Sequence, residues 1–488
     1  MVRSLAQKGI VGMLSFAFLF PGCLSVGSSK HYLDITCTDL KDVANEALQH
    51  DAFYEGDFPQ DRWWELFGDA QLNNFVDLAL SCHPDISAAN LRVGIAFEKA
   101  IEVRSKLLPY VDIMGSYWRQ KQTNYNTYVP AAAFAIEKAD FWFNTASALI
   151  RASYEIDIWG KNRASYYSQL GQVQAKIADL AQARLILSTT IAQAYFSLQS
   201  HRIQKDIISN WLQTKQELLK LLQQRYSSGM ADEFFPYIVD AQVAELQDLL
   251  IQIEGLIELD EHALAALVGN ISSVCGRSEG LCAELVASYQ QPVPLPSSLP
   301  LELISRRPDI MASLWQIQSM SYGVKVAKAR FLPNLDLLGM IGPISFFLTK
   351  FFTYPALDIW MQATSTLPLY TGGDLVAKLG EAQLELELAV QNYNQTILRA
   401  VQDVSDAVTN LKTAQERLQQ IERAVKDSGL VYQLTRERYV KGVDAKIPVL
   451  NAADTLYSQQ NLEQQVWLVR MVAIVSVIRS LGGGYCGA

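Results

Sequence analysis

The sequence predicts a mainly α-helical protein in which long coiled-coil helices are joined to a membrane β-barrel. Three observations lead to this prediction. An apolar seam with alternating steps of three and four residues runs through the C-terminal part of the chain. Pairs of segments rich in aromatic and β-branched residues precede the long helical patterns. The same order of patterns occurs twice, which indicates an internal structural duplication.

Residues 1–22 have the pattern of a signal peptide. Arg3 and Lys8 supply positive charge ahead of a short apolar run, residues 9–20, and this order is typical of export signals. The next segment, residues 23–60, is polar and lacks periodicity, so we expect an extended lead-in. The mature chain is therefore predicted to work outside the cytoplasm.

The export signal ends at a cysteine. Cys23 follows Gly22, and a cysteine after a small residue at this place predicts attachment of a lipid such as palmitate. Phe20 and Pro21 depart from the usual lipoprotein pattern. Ordinary cleavage, which would leave Cys23 as a plain thiol, is the alternative.

Charge and hydropathy exclude several classes of protein. The net charge of −9 and the lack of a basic cluster argue against a nucleic-acid partner. After the signal peptide, no uninterrupted apolar run reaches the length of a membrane-spanning helix. Membrane insertion would therefore have to use strands.

The cysteines do not predict a metal site, since neither CxxC nor cysteine–histidine spacing occurs, and no cofactor is expected. Cys275 and Cys282 flank a short loop that contains glycine. They could form a disulfide in an oxidising compartment, with free thiols as the alternative.

The first structural repeat is predicted over residues 61–291. A helical pattern leads to two strands, Val111–Gln120 and Phe141–Trp159. Gly160 then opens a long helix, and a further helix runs from about Phe235 to Val268. The seam of the long helix consists of Leu170, Val173, Ile177, Leu180, Arg184, Leu187, Ile191, Ala194 and Leu198.

The second repeat is predicted over residues 301–488, after a proline-rich linker at 292–300 for which we expect a polyproline-like conformation. Its strands are predicted at Leu335–Thr349 and Tyr354–Leu369. The seam helix begins near Asp374, and its apolar positions are Val390, Tyr393, Ile397, Ala400, Val404, Ala407, Leu411, Ala414, Leu418, Ile421 and Val425. A last helix follows the turn after it.

Matching motifs in the two halves carry the evidence for duplication. Pro84 corresponds to Pro308, and Pro109 to Pro333, with the same offset of 224 residues. RYSSG and RYVKG also match, with an offset of 213 residues. Their glycines, Gly229 and Gly442, predict tip turns where the chain reverses. Constant offsets over separated blocks make chance similarity improbable.

Two adjacent strands in each half cannot form a stable unit alone, because a hairpin leaves two open edges. In an exported chain, closure into a transmembrane barrel would satisfy those edges. Four strands are too few for a useful barrel, so closure implies oligomerisation. The alternative is a soluble four-stranded sheet capped by helices. The long helices carry polar residues throughout and must project into an aqueous space.

At these residues the sequence resembles the outer membrane efflux proteins, the trimeric channel-tunnels of the TolC and OprM type. The motifs that carry the resemblance are WWELFGDAQLNNFVDLAL, HPDI, KLLPYVDI, YEIDIWGKNR, LISRRPDI, ARFLPNLDLLG, PLYTGGDL, RYVKGV and LGGGY. They occur in family order from about Arg62 to Tyr485. The closest likeness is to lipoproteins that are paired with resistance-nodulation-division (RND) pumps.

The resemblance implies a homotrimer whose protomers contribute four strands each to a twelve-stranded barrel in the outer membrane. The helices would form a periplasmic α-barrel that meets an adaptor (membrane fusion) protein and an RND-type or ABC-type pump in the inner membrane. The chain would be a passive exit duct for drugs, other toxic compounds or metal ions, with no chemistry of its own.

In that family, carboxylates after the second tip often form the narrow ring of the closed aperture, and such rings select ions. Here Asn451 occupies the expected carboxylate position. The remaining candidates for the periplasmic gate or for latching and adaptor contacts are Asp444, Asp454, Asp240, Arg438, Tyr439 and Lys446. Each of them is also compatible with an ordinary solvated surface position.

Three other functions fit the sequence less well. An enzyme is disfavoured, because the five histidines are scattered and no GxSxG or phosphate-binding glycine loop occurs. A structural trimeric coiled-coil protein of the envelope would leave the duplicated strands unexplained. A duct for protein secretion driven by an ABC exporter would keep the fold and change the cargo.

Overall fold

The computed structural model describes residues 46–122, 141–269, 293–295 and 306–485. The signal peptide, Cys23, Cys275 and Cys282 lie outside the described residues. The helices are α1 (Ala70–Cys82), α2 (Pro84–Ser105), α3 (Lys161–Ser227), α4 (Phe234–Val268), α5 (Pro308–Ala329), α6 (Asp374–Val440) and α7 (Lys446–Ser480). The strands are β1 (Phe53–Glu55), β2 (Tyr110–Gln122), β3 (Phe141–Glu155), β4 (Val293–Leu295), β5 (Asn334–Ser345) and β6 (Leu357–Thr366).

The helices of the two halves match in length. Helices α2 and α5 have 22 residues each, α3 and α6 have 67, and α4 and α7 have 35. In both halves the order is short helix, two strands, long helix, turn and helix. The structure therefore repeats one unit twice, as the matching motifs indicate. Among the described helices, none has the length and hydropathy needed to cross a membrane.

The seam of α6 is largely buried. Its positions from Val390 to Leu418 are buried, and Ile421 and Val425 are half-buried. The helix packs against α7 and α5 along this seam. With 67 residues, α6 is about 100 Å long, longer than the seam alone implied. The helix passes through Gly429 and continues to Val440.

The seam predicted for α3 is only partly correct. Leu187, Ile191 and Leu198 are buried, whereas Ile177 and Arg184 are exposed. The physical reason is that α3 is surrounded by α1, α2, α4, α5 and α7, so it buries more than one stripe. Arg184 is the only charged residue of the predicted seam, and its side chain is exposed to solvent and not buried in the helical core.

The four longer strands form one antiparallel sheet in the order β2-β3-β5-β6. The β3–β5 pairing joins the two halves, and β2 and β6 are the edges. Strand β2 is slightly longer than predicted, and the other three are shorter. Strand β3 ends at Glu155, and short 3₁₀ turns at Leu348–Lys350 and Tyr354–Ala356 shorten β5 and β6.

The pairing register gives this sheet two different faces. Ile113 lies opposite Ile150, which lies opposite Ile341, which lies opposite Ile359. These four exposed isoleucines run across all the strands on one face. The other face carries polar residues, including Asp112 and Arg151, Asp336 and Gln362. We call the first the apolar face and the second the polar face.

The lead-in and the linker meet in the core. Phe53–Glu55 pairs in parallel with Val293–Leu295, so this part of the linker is a paired strand and not an isolated polyproline segment. Phe53 and Leu295 are buried together with Trp63 and Phe196 in the main hydrophobic cluster. The end of the predicted lead-in thus belongs to the packed body, because its apolar residues are covered by both repeats.

Candidate functional site

The two helical turns at the end farthest from the sheet have the same backbone structure. Gly442 N–H donates to Tyr439 O over 2.9 Å, and Val443 N–H donates to Arg438 O over 2.9 Å. Gly229 and Met230 make the equivalent bonds to Tyr226 and Arg225. Both glycines have positive φ, 75° and 70°. This is the Schellman motif, in which a left-handed residue ends a helix and satisfies its last carbonyls.

The second turn is closed by an ion pair that the first turn lacks. Arg438 Nε lies 2.6 Å and Nη2 3.1 Å from the two carboxylate oxygens of Asp444. The hydrogen bonds from Arg438 hold the pKa of Asp444 below its ordinary value. The position that corresponds to Asp444 in the first turn is Ala231. We call the Arg438–Asp444 pair the clasp.

The second turn is also tied to the first long helix. Lys446, in the first turn of α7, forms an ion pair with Glu217 of α3. The hydrogen bond to Glu217 raises the pKa of Lys446. Lys446 therefore connects the two helical hairpins and is already partnered within the chain.

Asp454 lies about two helical turns after Lys446 on α7, and its carboxylate is held by two side chains of α3. It accepts a hydrogen bond from Trp211 Nε1 over 2.5 Å, and its other oxygen lies 2.9 Å from Lys215 Nζ. Lys215 is buried and also donates to Gln242 Oε1 over 2.7 Å. This polar cluster joins α3, α4 and α7. It lies beside a small core of Leu218, Val239 and Leu450.

The other candidate residues are exposed in the single chain. Asp240 on α4, Tyr439 on α6 and Asn451 on α7 all have exposed side chains. Within the predicted set, Arg438, Asp444, Lys446 and Asp454 therefore have side-chain partners in the same chain. The gate role of the tip residues stays a prediction.

Sequence reasoning missed Glu217, Trp211 and Lys215. Their partners are more than 200 residues away in the sequence, and no local pattern marks such a pair. The seam predicted for α3 ends at Leu198, so the heptad pattern gave no signal at these residues. In the part of the chain that the structure describes, no group of histidine, cysteine or carboxylate side chains could hold a metal ion.

A coiled-coil body that is duplicated, ends in two Schellman turns and carries a two-faced antiparallel sheet at the other end defines an outer-membrane duct of the channel-tunnel class. The family model of the outer membrane efflux proteins matches residues 75–270 and 299–483. The chain belongs to this family. It is an outer-membrane efflux protein, a transport duct and not an enzyme.

Individual relatives agree with this assignment. The multidrug resistance outer membrane protein MdtQ of Escherichia coli O157:H7 is 26% identical over 437 residues, which is 88% of this chain and 89% of the relative. MdtP of Escherichia coli K12 is 26% identical over 433 residues, 88% of this chain and 87% of the relative.

Solved structures share the fold. The outer membrane protein VceC of Vibrio cholerae is 27% identical with a TM-score of 0.74, and the match covers 88% of this chain and all of that one. The outer-membrane channel OprN has a TM-score of 0.79 at 23% identity, covering 90% of this chain and 96% of that one.

Proposed function

We propose that the chain is the outer-membrane exit duct of a tripartite efflux system and carries small toxic molecules passively. Three protomers assemble into one duct, with a twelve-stranded barrel in the outer membrane and an α-barrel in the periplasm. An adaptor meets the tips, and an inner-membrane pump of the RND or ABC type supplies the energy. Cys23 carries a lipid anchor, as its place after the export signal predicts.

The two-faced sheet with unpaired edges is the observation that carries this proposal. Ile113, Ile341 and Ile359 are exposed on its apolar face, which fits lipid and not water. The edges β2 and β6 have no partner within the described part of the chain. Since lipid offers no hydrogen bonds, these edges require strands from other copies.

The helices that adjoin the edge strands also expose apolar side chains that another copy of the chain could cover. Helix α2 leads into edge strand β2 and exposes Leu91 and Ile95. Edge strand β6 leads into α6, which exposes Leu384 and Leu388. A head-to-tail ring would cover both apolar stripes and pair both strand edges at once. The names of MdtQ and MdtP support a multidrug cargo.

Native mass spectrometry of the full-length protein in detergent tests the assembly. We expect a trimer that dissociates on heating. A monodisperse monomer would contradict the barrel. In-cell crosslinking from Tyr439 or Asp240 then tests the cargo, since recovery of an adaptor with a drug pump supports small-molecule efflux. Recovery of a protein exporter instead would replace that cargo with secreted protein.

A further inference from the structure

The end of the sheet farthest from the helices carries cations and aromatic rings together. We call this end the rim and define it by residues 116–122 of β2, 141–147 of β3 and 344–357 of the β5–β6 hairpin. Arg119 lies opposite Asn144, and Lys121 lies opposite Trp142. By strand alternation, Arg119 and Trp142 share the apolar face with Ile113 and Ile150. The rim therefore continues the apolar face at its outer end.

Both main cations of the rim lie against aromatic rings. The guanidinium carbon of Arg119 is 5.1 Å from the centre of the Trp142 ring. Lys350 Nζ is 5.9 Å from the centre of the Phe347 ring. Arg119 and Lys350 are exposed, so the rings orient the charges and leave them accessible to an anion.

The β5–β6 connection is far more apolar than an ordinary surface turn. Phe352 is 93% and Tyr354 88% exposed. Phe351 and Phe352 form an edge-to-face pair with ring centres 5.0 Å apart. Further exposed apolar residues of the same connection are Phe346, Phe347 and Leu348. Rings concentrated at one level are typical of the boundary between hydrocarbon and headgroups.

The charge at the rim has one sign. Within the rim as defined, the described residues include Arg119, Lys121 and Lys350 and contain neither aspartate nor glutamate. On the hairpin side, Asp358 follows the rim and alternates onto the polar face, opposite Gly342. Within the described rim, an anion that approaches from the apolar face therefore meets Arg119 with no carboxylate of the rim beside it.

We propose that the rim binds the phosphorylated headgroup of a glycolipid in the outer leaflet of the membrane. The inference rests on the proposed barrel, in which the helices point to the periplasm and the rim reaches the outer leaflet. Arginine and lysine bind phosphate oxygens through charge-assisted hydrogen bonds. The aromatic residues pack against the acyl chains just below, so headgroup and chains are recognised by adjacent parts of one surface.

Native mass spectrometry of the full-length protein tests this with two probes, diphosphoryl lipid A and the uncharged glycolipid monogalactosyl diacylglycerol. We expect the wild-type protein to retain diphosphoryl lipid A in clear preference to monogalactosyl diacylglycerol. The double variant R119Q/K350Q should lose about tenfold in affinity for lipid A, equivalent to about 1.4 kcal/mol, and should keep its weak binding of the uncharged lipid. The matched control is R423Q/K426Q, which removes two exposed charges from α6.

The same spectra separate the two proposals. A trimer that binds both lipids equally, or an R119Q/K350Q variant that binds lipid A as wild type does, would overturn the rim site and leave the duct intact. An equal loss in the R423Q/K426Q control would also overturn it, because any surface charge would then serve. A monomer would instead overturn the proposed barrel.

Discussion

Ser168 on α3 and Ser319 on α5 exchange hydrogen bonds across the junction of the two repeats. The Ser168 hydroxyl donates to the Ser319 carbonyl over 3.0 Å, and the Ser319 hydroxyl donates to the Ser168 carbonyl over 2.8 Å. Gly171 permits this close approach, since a Cβ at that position would lie 3.1 Å from the backbone nitrogen of Ser319. Small residues at this crossing therefore hold the two repeats together.

Gly171→Leu should destabilise the protein by about 1–3 kcal/mol, because the larger side chain must push α3 and α5 apart. The apparent melting temperature of the purified protein, followed by circular dichroism, measures this. Gly255→Leu is the matched control, since nothing lies within 4 Å of a Cβ there. Equal melting temperatures for the two variants would contradict a close-packed junction.

Asp454→Ala should destabilise the tip region by about 2 kcal/mol. The substitution leaves the buried ammonium group of Lys215 without its charge partner and Trp211 Nε1 without its acceptor. Asn451→Ala, three residues earlier on α7 and exposed, should change stability by less than about 0.5 kcal/mol. Denaturant unfolding of both variants gives the comparison. If Asn451→Ala proved the more damaging, the polar cluster would not be the stabilising element.

Asp444→Asn should raise single-channel conductance in planar bilayers at neutral pH if the clasp narrows the aperture. Arg438 lowers the pKa of Asp444, so the pair persists above the folded-state pKa and is lost as the pH falls through it. Wild type should therefore keep its low conductance until the pH falls below the usual carboxyl range, and the variant should lack this transition.

The control for the clasp is Asp232→Asn, which removes an exposed carboxylate at the first tip. It should leave both the conductance and the acid transition unchanged. An Asp444→Asn channel with wild-type conductance at every pH would remove the clasp from the gate.

Glu463→Gln should raise the melting temperature at neutral pH. Burial, together with the nearby Glu422, raises the pKa of Glu463. A raised carboxyl pKa means that the folded state binds the proton more tightly, so stability falls as the pH rises from the unfolded pKa to the folded one. The advantage of the variant should vanish below that window, where both forms are uncharged. Exposed Glu385→Gln should show no such pH dependence.

The sequence predicted features whose cause is local or periodic. The prediction that the α6 seam is buried was correct from Val390 to Leu418, because one stripe of this helix faces α5 and α7. The turns at Gly229 and Gly442 were correct, because the Schellman motif requires positive φ. Partners such as Lys446 and Glu217 escaped prediction, since nothing local in either segment specifies a contact 229 residues away.

Exposure was harder to predict where a helix has many neighbours. Arg184 and Ile177 occupy seam positions of α3 and are nevertheless exposed. Periodicity identifies one apolar stripe, whereas the packing of α3 depends on five other helices. The pairing of Phe53–Glu55 with Val293–Leu295 was missed for a similar reason, because a three-residue strand has too few residues to show alternation.

Met361→Lys and Gln362→Lys should differ sharply, although the two residues are neighbours on β6. Met361 is 85% exposed on the apolar face, and Gln362 lies on the polar face. A lysine facing lipid near the middle of a membrane strand costs about 2–4 kcal/mol, whereas a residue facing the lumen tolerates charge. Outer-membrane fractions analysed by native gel should therefore contain much less trimer for Met361→Lys and near wild-type amounts for Gln362→Lys. Equal amounts would mean that the apolar face does not contact lipid, since only burial in hydrocarbon distinguishes the two positions.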